Sequence, residues 1–443
     1  MIRKVFLTPF QKFIKIEGFS GILLLLSTII ALIWANSSFG NTYAELWDYK
    51  IGISGEGFEL KKPLLLWIND GLMAIFFFLI GLEIKREVLI GELNSVKKLA
   101  FPLFGAIGGA LIPVGLYILL NQNPETFKGW GIPMATDIAF SLAVLNALGK
   151  RVPLSLKIFL IAFAIVDDIE AVLVIAIFYS GTIKTTLLLI ALGLLAVLYF
   201  LSYKGYYSKF ILFFTGVVVW VLFLKSGVHP TVAGILLAFS VPISQKINSS
   251  TFITQLEKVY NNIKSASILR KPILSNEQIE SMDDLESWSN KFQSPLQHLE
   301  HNLHGWVAYF IIPVFALANA GVLIDSSAGI EVALVINIVI CLVLGKGLGI
   351  PIVIFIAEKL NLLQIPADIS FKQIIGVSFI AGIGFTMAIF VSSLAFTSSP
   401  EYISSAKIGI LLGSLISAVI GYLILRFGTK KNVFLKKGLR IVN

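Results

Sequence analysis

Runs of about twenty apolar residues recur along this chain, and they limit the folds open to it more than any other feature. The first run begins at Gly18 and the last ends at Leu425. Each run is long enough to cross a hydrocarbon core about 30 Å thick as an α-helix. Charged residues make up only 14% of the chain, whereas roughly a quarter of the residues in a soluble domain are charged. The chain is therefore predicted to cross a membrane many times.

The boundaries of these runs predict an all-α polytopic membrane protein with about twelve transmembrane helices. The first run is interpreted as a retained helix, because it is too long for a signal peptide and lacks a cleavage site of small residues. The predicted spans are 17–36, 64–84, 100–120, 131–148, 155–180, 183–201, 210–224, 229–243, 305–322, 330–357, 373–397 and 404–425.

The basic residues are unevenly distributed between the two sides of the predicted membrane. Most of the 35 Lys and Arg residues lie in the terminal segments and in the loops on the same side. Because positively charged loops remain in the cytoplasm, both termini are predicted to be cytoplasmic. The net charge of +9 and the basic tail at 429–443 therefore indicate anionic lipid headgroups as partners and no nucleic acid.

Two polar segments interrupt the apolar runs. Residues 48–62 contain short alternating stretches around a Gly-rich centre, which predicts a small outer β-hairpin. Residues 245–297 are polar with one helical period, so they are predicted to form a cytoplasmic insertion that contains one amphipathic helix and serves as a solvated linker. The predicted order is membrane helices 1–8 at 1–244, the insertion, membrane helices 9–12 at 298–428, and the tail.

Helix breakers interrupt two of the predicted spans. The fourth contains Gly131 and Pro133 just before Thr136 and Asp137, and the eleventh contains Gly-Ile-Gly at 382–384. Interruptions at matching places in two halves are typical of inverted-repeat transporters. The sequence therefore predicts inverted repeats in which helices 4 and 11 are broken and cross at the midplane.

Three carboxylates, Asp167, Asp168 and Glu170, lie in the middle of the fifth predicted span. Each charge at the bilayer centre costs at least about 3 kcal/mol, and packing does not require three. Adjacent helical residues point about 100° apart, so one Asp lines a cavity while the other faces a neighbouring helix. Carboxylate oxygens bind hard cations such as Na⁺ or Li⁺ and also protons. Competition for Asp167 and Asp168 is the minimal chemistry of an antiporter, with Na⁺ as cargo rather than a structural metal.

Asp137 and Lys346 have a different rationale. Broken helices expose N–H ends with partial positive charge and C=O ends with partial negative charge inside the membrane. An acid beside one set of ends and a base beside the other would compensate both. Alternatively, Lys346 pairs directly with Asp167 or Asp168.

Two other classes of protein also carry acids inside the membrane. An intramembrane aspartyl protease needs its two Asp residues on facing helices, which an adjacent pair does not provide. A sodium-coupled symporter for organic solutes would need more polar groups near 381–386 than the sequence has. The single cysteine, Cys341, excludes an internal disulfide, and no cofactor is predicted. The favoured hypothesis is a secondary transporter rather than an enzyme.

Several motifs, in order along the chain, resemble the NhaA type of sodium/proton antiporter and cover nearly all of it apart from the polar insertion. The motifs are Trp67-Ile-Asn-Asp70, Gly81-Leu-Glu83-Ile-Lys-Arg86-Glu87, Met134-Ala-Thr136-Asp137, Asp167-Asp168, Val228-His229, Glu300-His301, Ala318-Asn-Ala-Gly321, Gly345-Lys346 and Gly382-Ile-Gly-Phe-Thr-Met387.

The resemblance implies a pH-regulated antiporter of the cell inner membrane that expels Na⁺ or Li⁺ in exchange for inward H⁺. It implies that Asp168, with Asp167, binds the cation, that Thr136 and Asp137 form the unwound part of helix 4, and that Lys346 is essential. The β-hairpin resembles a homodimer contact. The residues that match a cytoplasmic funnel and pH response are Asp70, Glu83, Arg86, Glu87, His229, Glu300 and His301.

The sequence departs from the family pattern in three places. Glu170 stands where glycine is expected, one turn from Asp167, and adds a titrating group. Ala388 stands where some members have serine. The insertion at 245–297 is longer than expected. Apart from the resemblance, Glu83, Arg86 and Glu87 are interpreted as ordinary charged anchors at a helix end.

Overall fold

The computed structural model describes residues 9–55, 58–91, 94–266, 275–323 and 329–428, so the predicted basic tail at 429–443 lies outside the described residues. The first half contains α1 (Pro9–Ala35), α2 (Gly40–Asp48), β1 (Lys50–Gly55), β2 (Phe58–Pro63), α3 (Leu64–Leu89), α4 (Val96–Leu120), a 3₁₀ segment (Pro124–Met134), α5 (Ile138–Ala147), a 3₁₀ turn (Gly149–Arg151), α6 (Leu154–Phe178), α7 (Thr185–Tyr203) and α8 (Lys209–Ser226). The second half contains α9 (Pro230–Phe239), α10 (Ser249–Ala266), α11 (Asn276–Phe292), α12 (Pro295–Asn319), α13 (Val332–Lys359), α14 (Phe371–Ala381), α15 (Phe385–Ala395) and α16 (Glu401–Gly428).

Most of the described chain is helical and apolar, which confirms the prediction of a multi-pass membrane protein. Eight of the described helices are long and apolar enough to cross a bilayer: α1, α3, α4, α7, α8, α12, α13 and α16. The pair α14 and α15, bent by 46°, makes a ninth candidate. Helix α6 also has 25 residues but carries the three carboxylates. The count of twelve spans stays a prediction.

The predicted β-hairpin is confirmed as a two-stranded antiparallel sheet. Lys50 is opposite Pro63, and Ile53 is opposite Leu60. The second strand leads directly into α3, where the Trp67 indole N–H donates to the carbonyl of Ile51 at 2.9 Å. The side chain at the start of α3 therefore fixes the hairpin against the helix.

The described chain forms two compact units. One unit consists of 77–86 and 183–304, and the other contains the remaining described residues. In the unit of 77–86 and 183–304, a buried apolar cluster joins Leu82, Leu198, Leu212, Val241 and Leu296. The burial of these side chains is what holds the helices of this unit together.

The insertion contains two helices, so the expectation of one amphipathic helix is wrong. Helix α11 begins with a capping box, in which Ser275 and Gln278 satisfy each other's backbone N–H groups. The rings of Phe252 and Phe292 stack 4.3 Å apart and join α10 to α11. A second helical period, at Ile279, Met282, Leu285 and Phe292, was present in the sequence but was overlooked among the acidic residues.

In the other unit, glycines allow two long helices to approach closely. A Cβ on Gly108 of α4 would lie 2.6 Å from the carbonyl oxygen of Gly349 in α13, and one on Gly349 would lie equally close to that of Gly108. Any side chain at either position would separate the backbones. This contact fixes α13, the helix that carries Lys346.

Candidate functional site

The fourth predicted span is not a continuous helix. The 3₁₀ segment ends at Met134, residues 135–137 are extended, and α5 begins at Ile138. Pro133 has no backbone N–H to donate, and Asp137 caps the new helix by accepting from the Phe140 N–H at 3.0 Å. Pro133 therefore favours the interruption of the helix, and Asp137 provides the N-cap of the helix that follows.

The eleventh predicted span is broken in the same way. Helix α14 ends at Ala381, Gly382-Ile-Gly384 separates it from α15, and α15 begins at Phe385. A Cβ at Gly382 would lie 2.5 Å from the carbonyl oxygen of Leu342, so only glycine fits there. The break lets the backbone pass directly beside α13.

The two breaks lie against each other, and their backbones are hydrogen-bonded. The Asp137 N–H donates to the carbonyl of Ile383 at 2.7 Å. The Thr136 hydroxyl donates to the carbonyl of Ala381 at 2.9 Å. These contacts satisfy carbonyl groups at the end of α14 that would otherwise be left without partners inside the bilayer.

The Asp137 carboxylate accepts hydrogen bonds from the N-termini of two helices. Besides capping α5, its Oδ2 accepts from the Thr386 N–H at 3.2 Å and from the Thr386 hydroxyl at 2.5 Å. One buried carboxylate thus lies between the positive ends of α5 and α15, which is the compensation that the sequence predicts for it. Thr386 was not singled out from the sequence, although its position just after the second break was a signal.

Lys346 is completely buried at the end of a π-helical turn, Cys341–Lys346, in α13. Its ammonium group donates to the Thr136 hydroxyl at 2.5 Å and lies 3.3 Å from Oδ2 of Asp167. Of the roles considered, the structure favours direct pairing with Asp167. Thr136 connects this ion pair to the end of α14, since it donates in turn to Ala381.

Asp168 is 4% exposed and, within the described chain, has no hydrogen-bond partner or ion pair. Its neighbour Asp167 is 2% exposed and is tied to Lys346. The adjacent acids therefore differ, as their 100° separation predicts. A buried carboxylate without a partner is costly unless it binds a proton or a cation.

Glu170 is half-buried on the turn that follows Asp167. Its Oε2 atom is buried and has no hydrogen-bond partner among the described residues. Since residues three apart on a helix share a face, Glu170 lies on the side of α6 that bears Asp167. The structure thus places a third polar group next to the ion pair.

In the unit that contains 77–86 and 183–304, several residues with predicted pH roles come together. Arg86 Nε lies 3.0 Å from a carboxylate oxygen of Glu300. Nδ1 of His304 lies 3.9 Å from Oε1 of Glu83. His304 shares a helix face with Glu300, whereas His301 is exposed on another face of the same helix.

Lys85 is a second residue of this group that the sequence did not reveal. Its ammonium group donates to the carbonyl groups of Phe239 and Val241, at the end of α9, at 2.7 and 2.5 Å. A cation at a helix C-terminus compensates the partial negative charge there. Its place between Glu83 and Arg86 in the sequence hid this structural role.

The other residues predicted for this group have different neighbours. Asp70 lies more than three helical turns before Glu83 in α3 and pairs with Lys62 of the hairpin at 3.0 Å. His229 caps the start of α9, where its ring accepts from the Thr231 N–H at 3.4 Å. Glu87 follows Glu83 by one turn of α3. The contacts of these two residues therefore place Asp70 at the hairpin and His229 at the start of α9.

Comparisons with known proteins agree with this geometry. The family model described as Na⁺/H⁺ antiporter 1 matches residues 11–425. A Na⁺/H⁺ antiporter NhaA of Helicobacter pylori is 45% identical over 430 residues, which cover 96% of this chain and 97% of the relative. One from Oleidesulfovibrio alaskensis is 43% identical over 423 residues, with 95% and 94% covered. One from Aliarcobacter butzleri is 43% identical over 421 residues, with 95% and 97% covered.

Proposed function

This chain belongs to the Na⁺/H⁺ antiporter 1 family, and on that premise we propose that Asp168, with Asp167 beside it, binds Na⁺ and protons in turn. Family membership makes the chain a Na⁺/H⁺ antiporter and a transporter, not an enzyme. It therefore excludes the intramembrane protease and the solute symporter that were weighed from the sequence.

The observation that carries the proposal is the buried Asp168 carboxylate, which has no hydrogen bond or salt bridge to the described residues and lies next to the Asp167–Lys346 pair. An unpaired charge at this depth costs several kcal/mol, so the site is stable only when a proton or a cation neutralises Asp168. Binding of one excludes the other. Exchange follows if the protein exposes the occupied site to opposite sides of the membrane in alternation.

Lys346 sets the charge balance of this site. While Lys346 pairs with Asp167, the three groups Asp167, Asp168 and Lys346 carry one net negative charge, which one Na⁺ or one proton cancels. A cation held by both carboxylates would draw Asp167 away from Lys346. A lysine without its carboxylate is costly to keep charged in this environment and is then disposed to release a proton.

The two crossed broken helices are the part of the protein that moves when the ion site opens to one side of the membrane and then to the other. We propose the inverted repeats and twelve spans indicated by the sequence, with both termini and the insertion at 245–297 on the cytoplasmic side of the cell inner membrane. Asp137 supports this arrangement, because one carboxylate neutralises the N-termini of both broken helices. The helices can then shift around the site without exposing unsatisfied backbone groups to lipid.

We propose that the group formed by Glu83, Arg86, Glu300 and His304 regulates transport with pH. The group joins the Arg86–Glu300 ion pair to the Glu83–His304 contact, so a change in the charge of one member alters the attraction among the others. The proposed partners are Na⁺, Li⁺ and H⁺, anionic lipids at the basic loops, and a second copy of the chain that contacts the β-hairpin.

The function is tested in inverted membrane vesicles that are acidified by respiration and carry a pH-quenched dye. Na⁺ and Li⁺ are expected to restore fluorescence as protons leave the vesicles, and K⁺ is not, because the compact carboxylate site suits small hard cations. Vesicles without the protein provide the control. Equal responses to K⁺ and Na⁺ would contradict the proposed selectivity.

Glu170→Gln is expected to shift the pH profile of exchange without abolishing it. A negative charge one turn away disfavours another negative charge on Asp167, so its removal should move the profile to lower pH by about 0.5 to 1 unit. The profile is measured as dequenching by Na⁺ from pH 6 to pH 9. Glu358→Gln, which removes a carboxylate at the end of α13, is the matched control and should leave the profile in place. An unchanged profile in Glu170→Gln would mean that Glu170 is electrostatically separate from the site.

A further inference from the structure

A cleft of about 390 Å³ lies beside α2, and the exchange mechanism does not use it. It is bounded by the end of α1, by α2, by the end of α12 with the residues just after it, and by Lys407 of α16. All of these belong to one compact unit. Part of the lining is apolar and includes Leu65 and Leu323. A cleft of this size accommodates a small organic molecule, so it is a candidate site for a ligand that nothing above assigns.

One tyrosine holds the walls of the cleft together. The Tyr43 hydroxyl of α2 donates to the carbonyl of Leu317 at 2.8 Å and accepts from the Gly321 N–H at 3.1 Å. A Cβ at Gly321 would overlap the Tyr43 ring, so only glycine permits this contact. The ring of Tyr43 also packs edge-on against those of Trp34 and Trp47, with centroids 5.5 and 5.9 Å away. Helix α2 is therefore fixed against the end of α12, and a preformed cleft reduces the entropy cost of binding.

Lys407 lies on this cleft without a counter-charge. It is half-buried in α16, six residues after the helix begins at Glu401, and it has no hydrogen bond or ion pair to the described residues. An ammonium group that is partly removed from water is costly unless an anion or another acceptor lies near it. Asp48 is the only acid among the described residues that line the cleft, and it is exposed and forms no ion pair with Lys407. The Lys407 ammonium group is therefore available to an anionic ligand.

The indole N–H of Trp47 is a second donor on the lining of the cleft. Trp47 is 8% exposed, and its Nε1 atom has no hydrogen-bond partner of acceptable geometry within the described chain. The neighbouring Tyr43 hydroxyl is already bonded to Leu317 and Gly321. An indole N–H can only donate, and buried polar groups are normally hydrogen-bonded. The orphaned N–H is therefore an independent sign that an acceptor belongs in the cleft.

We propose that this cleft binds a small organic acid with a single carboxylate, whose oxygens accept from Lys407 and from the Trp47 indole N–H. A carboxylate has two acceptor oxygens, and its hydrogen bonds to an ammonium group are charge-assisted. The apolar body of the acid would pack against Leu65 and Leu323. Asp48 at the exposed edge disfavours a second negative charge on the ligand, so dicarboxylates are selected against. The site does not depend on the proposed exchange mechanism, and it opens at the outer face in the topology proposed above.

The test measures binding of three probes that share one ring, namely benzoate, benzamide and terephthalate, to the full-length protein in a neutral detergent. Saturation-transfer NMR suits weak ligands, and the aromatic signals of the probes do not overlap those of the detergent. Lys407→Gln removes the cation, Lys407→Arg keeps it, and Trp47→Phe keeps an aromatic ring without the N–H. Lys50→Gln, which removes an exposed charge of β1 outside the cleft, is the matched control.

Benzoate is expected to bind about tenfold more tightly than benzamide or terephthalate. Lys407→Gln and Trp47→Phe should each weaken benzoate binding about tenfold, and Lys407→Arg and Lys50→Gln less than about threefold. Asp48→Asn should improve terephthalate binding relative to benzoate by about threefold. If Lys407→Gln does not fold, Trp47→Phe and the comparison of benzoate with benzamide still decide. Equal binding of benzoate and benzamide, equal effects of Lys407→Gln and Lys50→Gln, or no benzoate binding by the wild-type protein would overturn the proposal.

Discussion

Asp168→Asn is expected to reduce Na⁺-driven proton movement in inverted vesicles by about 100-fold or more. The substitution keeps the size of the side chain but removes the charge that a cation would bind and the site that protons would occupy. A bound cation and the Asp168 carboxylate would form a buried charge pair. Loss of one partner of such a pair costs about 3 to 5 kcal/mol, and each 1.4 kcal/mol is a factor of ten. Since Asp168 has no ion pair in the described chain, the change leaves no partner stranded and should not unfold the protein.

Two controls separate the loss of exchange from a loss of protein. Asp283→Asn removes a carboxylate from the exposed surface of α11 and should leave exchange unchanged. The melting temperature of Asp168→Asn in detergent should equal or exceed that of the wild-type protein, because a buried charge has been removed. Full exchange activity in Asp168→Asn would remove this residue from the cation site.

Lys346→Gln is expected to destabilise the protein more than a double substitution that removes both charges of the Lys346–Asp167 ion pair. Alone, it leaves the Asp167 carboxylate buried without a counter-charge, at a cost of about 3 to 5 kcal/mol. The double variant Asp167→Asn with Lys346→Gln replaces the pair by two neutral amides and should lose less than about 2 kcal/mol. Thermal unfolding of the purified variants in one detergent gives the comparison.

A more exposed ion pair serves as the control for this cycle. Lys62 and Asp70 are 3.0 Å apart but are partly solvated, so Lys62→Gln should cost less than about 1 kcal/mol. All variants that change Asp167 or Lys346 are expected to lose exchange. A double variant that is as unstable as Lys346→Gln would show that the lysine stabilises the fold through Thr136 rather than through Asp167.

The lining of the site was predictable to the extent that it depends on local sequence. Asp167, Asp168 and Lys346 were recognised because a charge inside an apolar run is costly wherever the helix packs. Asp137 was recognised because it follows Pro133 at a break. Thr386 and Lys85 were missed, since a threonine after a glycine and a lysine at a helix end have ordinary local explanations.

The polar insertion shows where local signals fail. Its first helix has a clear apolar period, whereas the period of the second, Asn276–Phe292, lies among acidic residues and was overlooked; a capping box begins this helix, and Phe292 stacks on Phe252. A ring contact between residues 40 positions apart is not visible in a helical period. The sequence therefore indicated a linker with a single helix.

The sequence by itself determined that the chain crosses a membrane many times, that two spans are broken, and that acids and a lysine lie inside them. These properties follow from hydropathy and from breakers, which act over one helix. The tertiary structure decided that Lys346 pairs with Asp167 and that Asp168 has no hydrogen bond or salt bridge to the described residues. It also decided that His304 rather than His301 lies beside Glu83. Lys346 and Asp167 are 179 positions apart, and the packing of both α6 and α13 against α4 brings them within 3.3 Å.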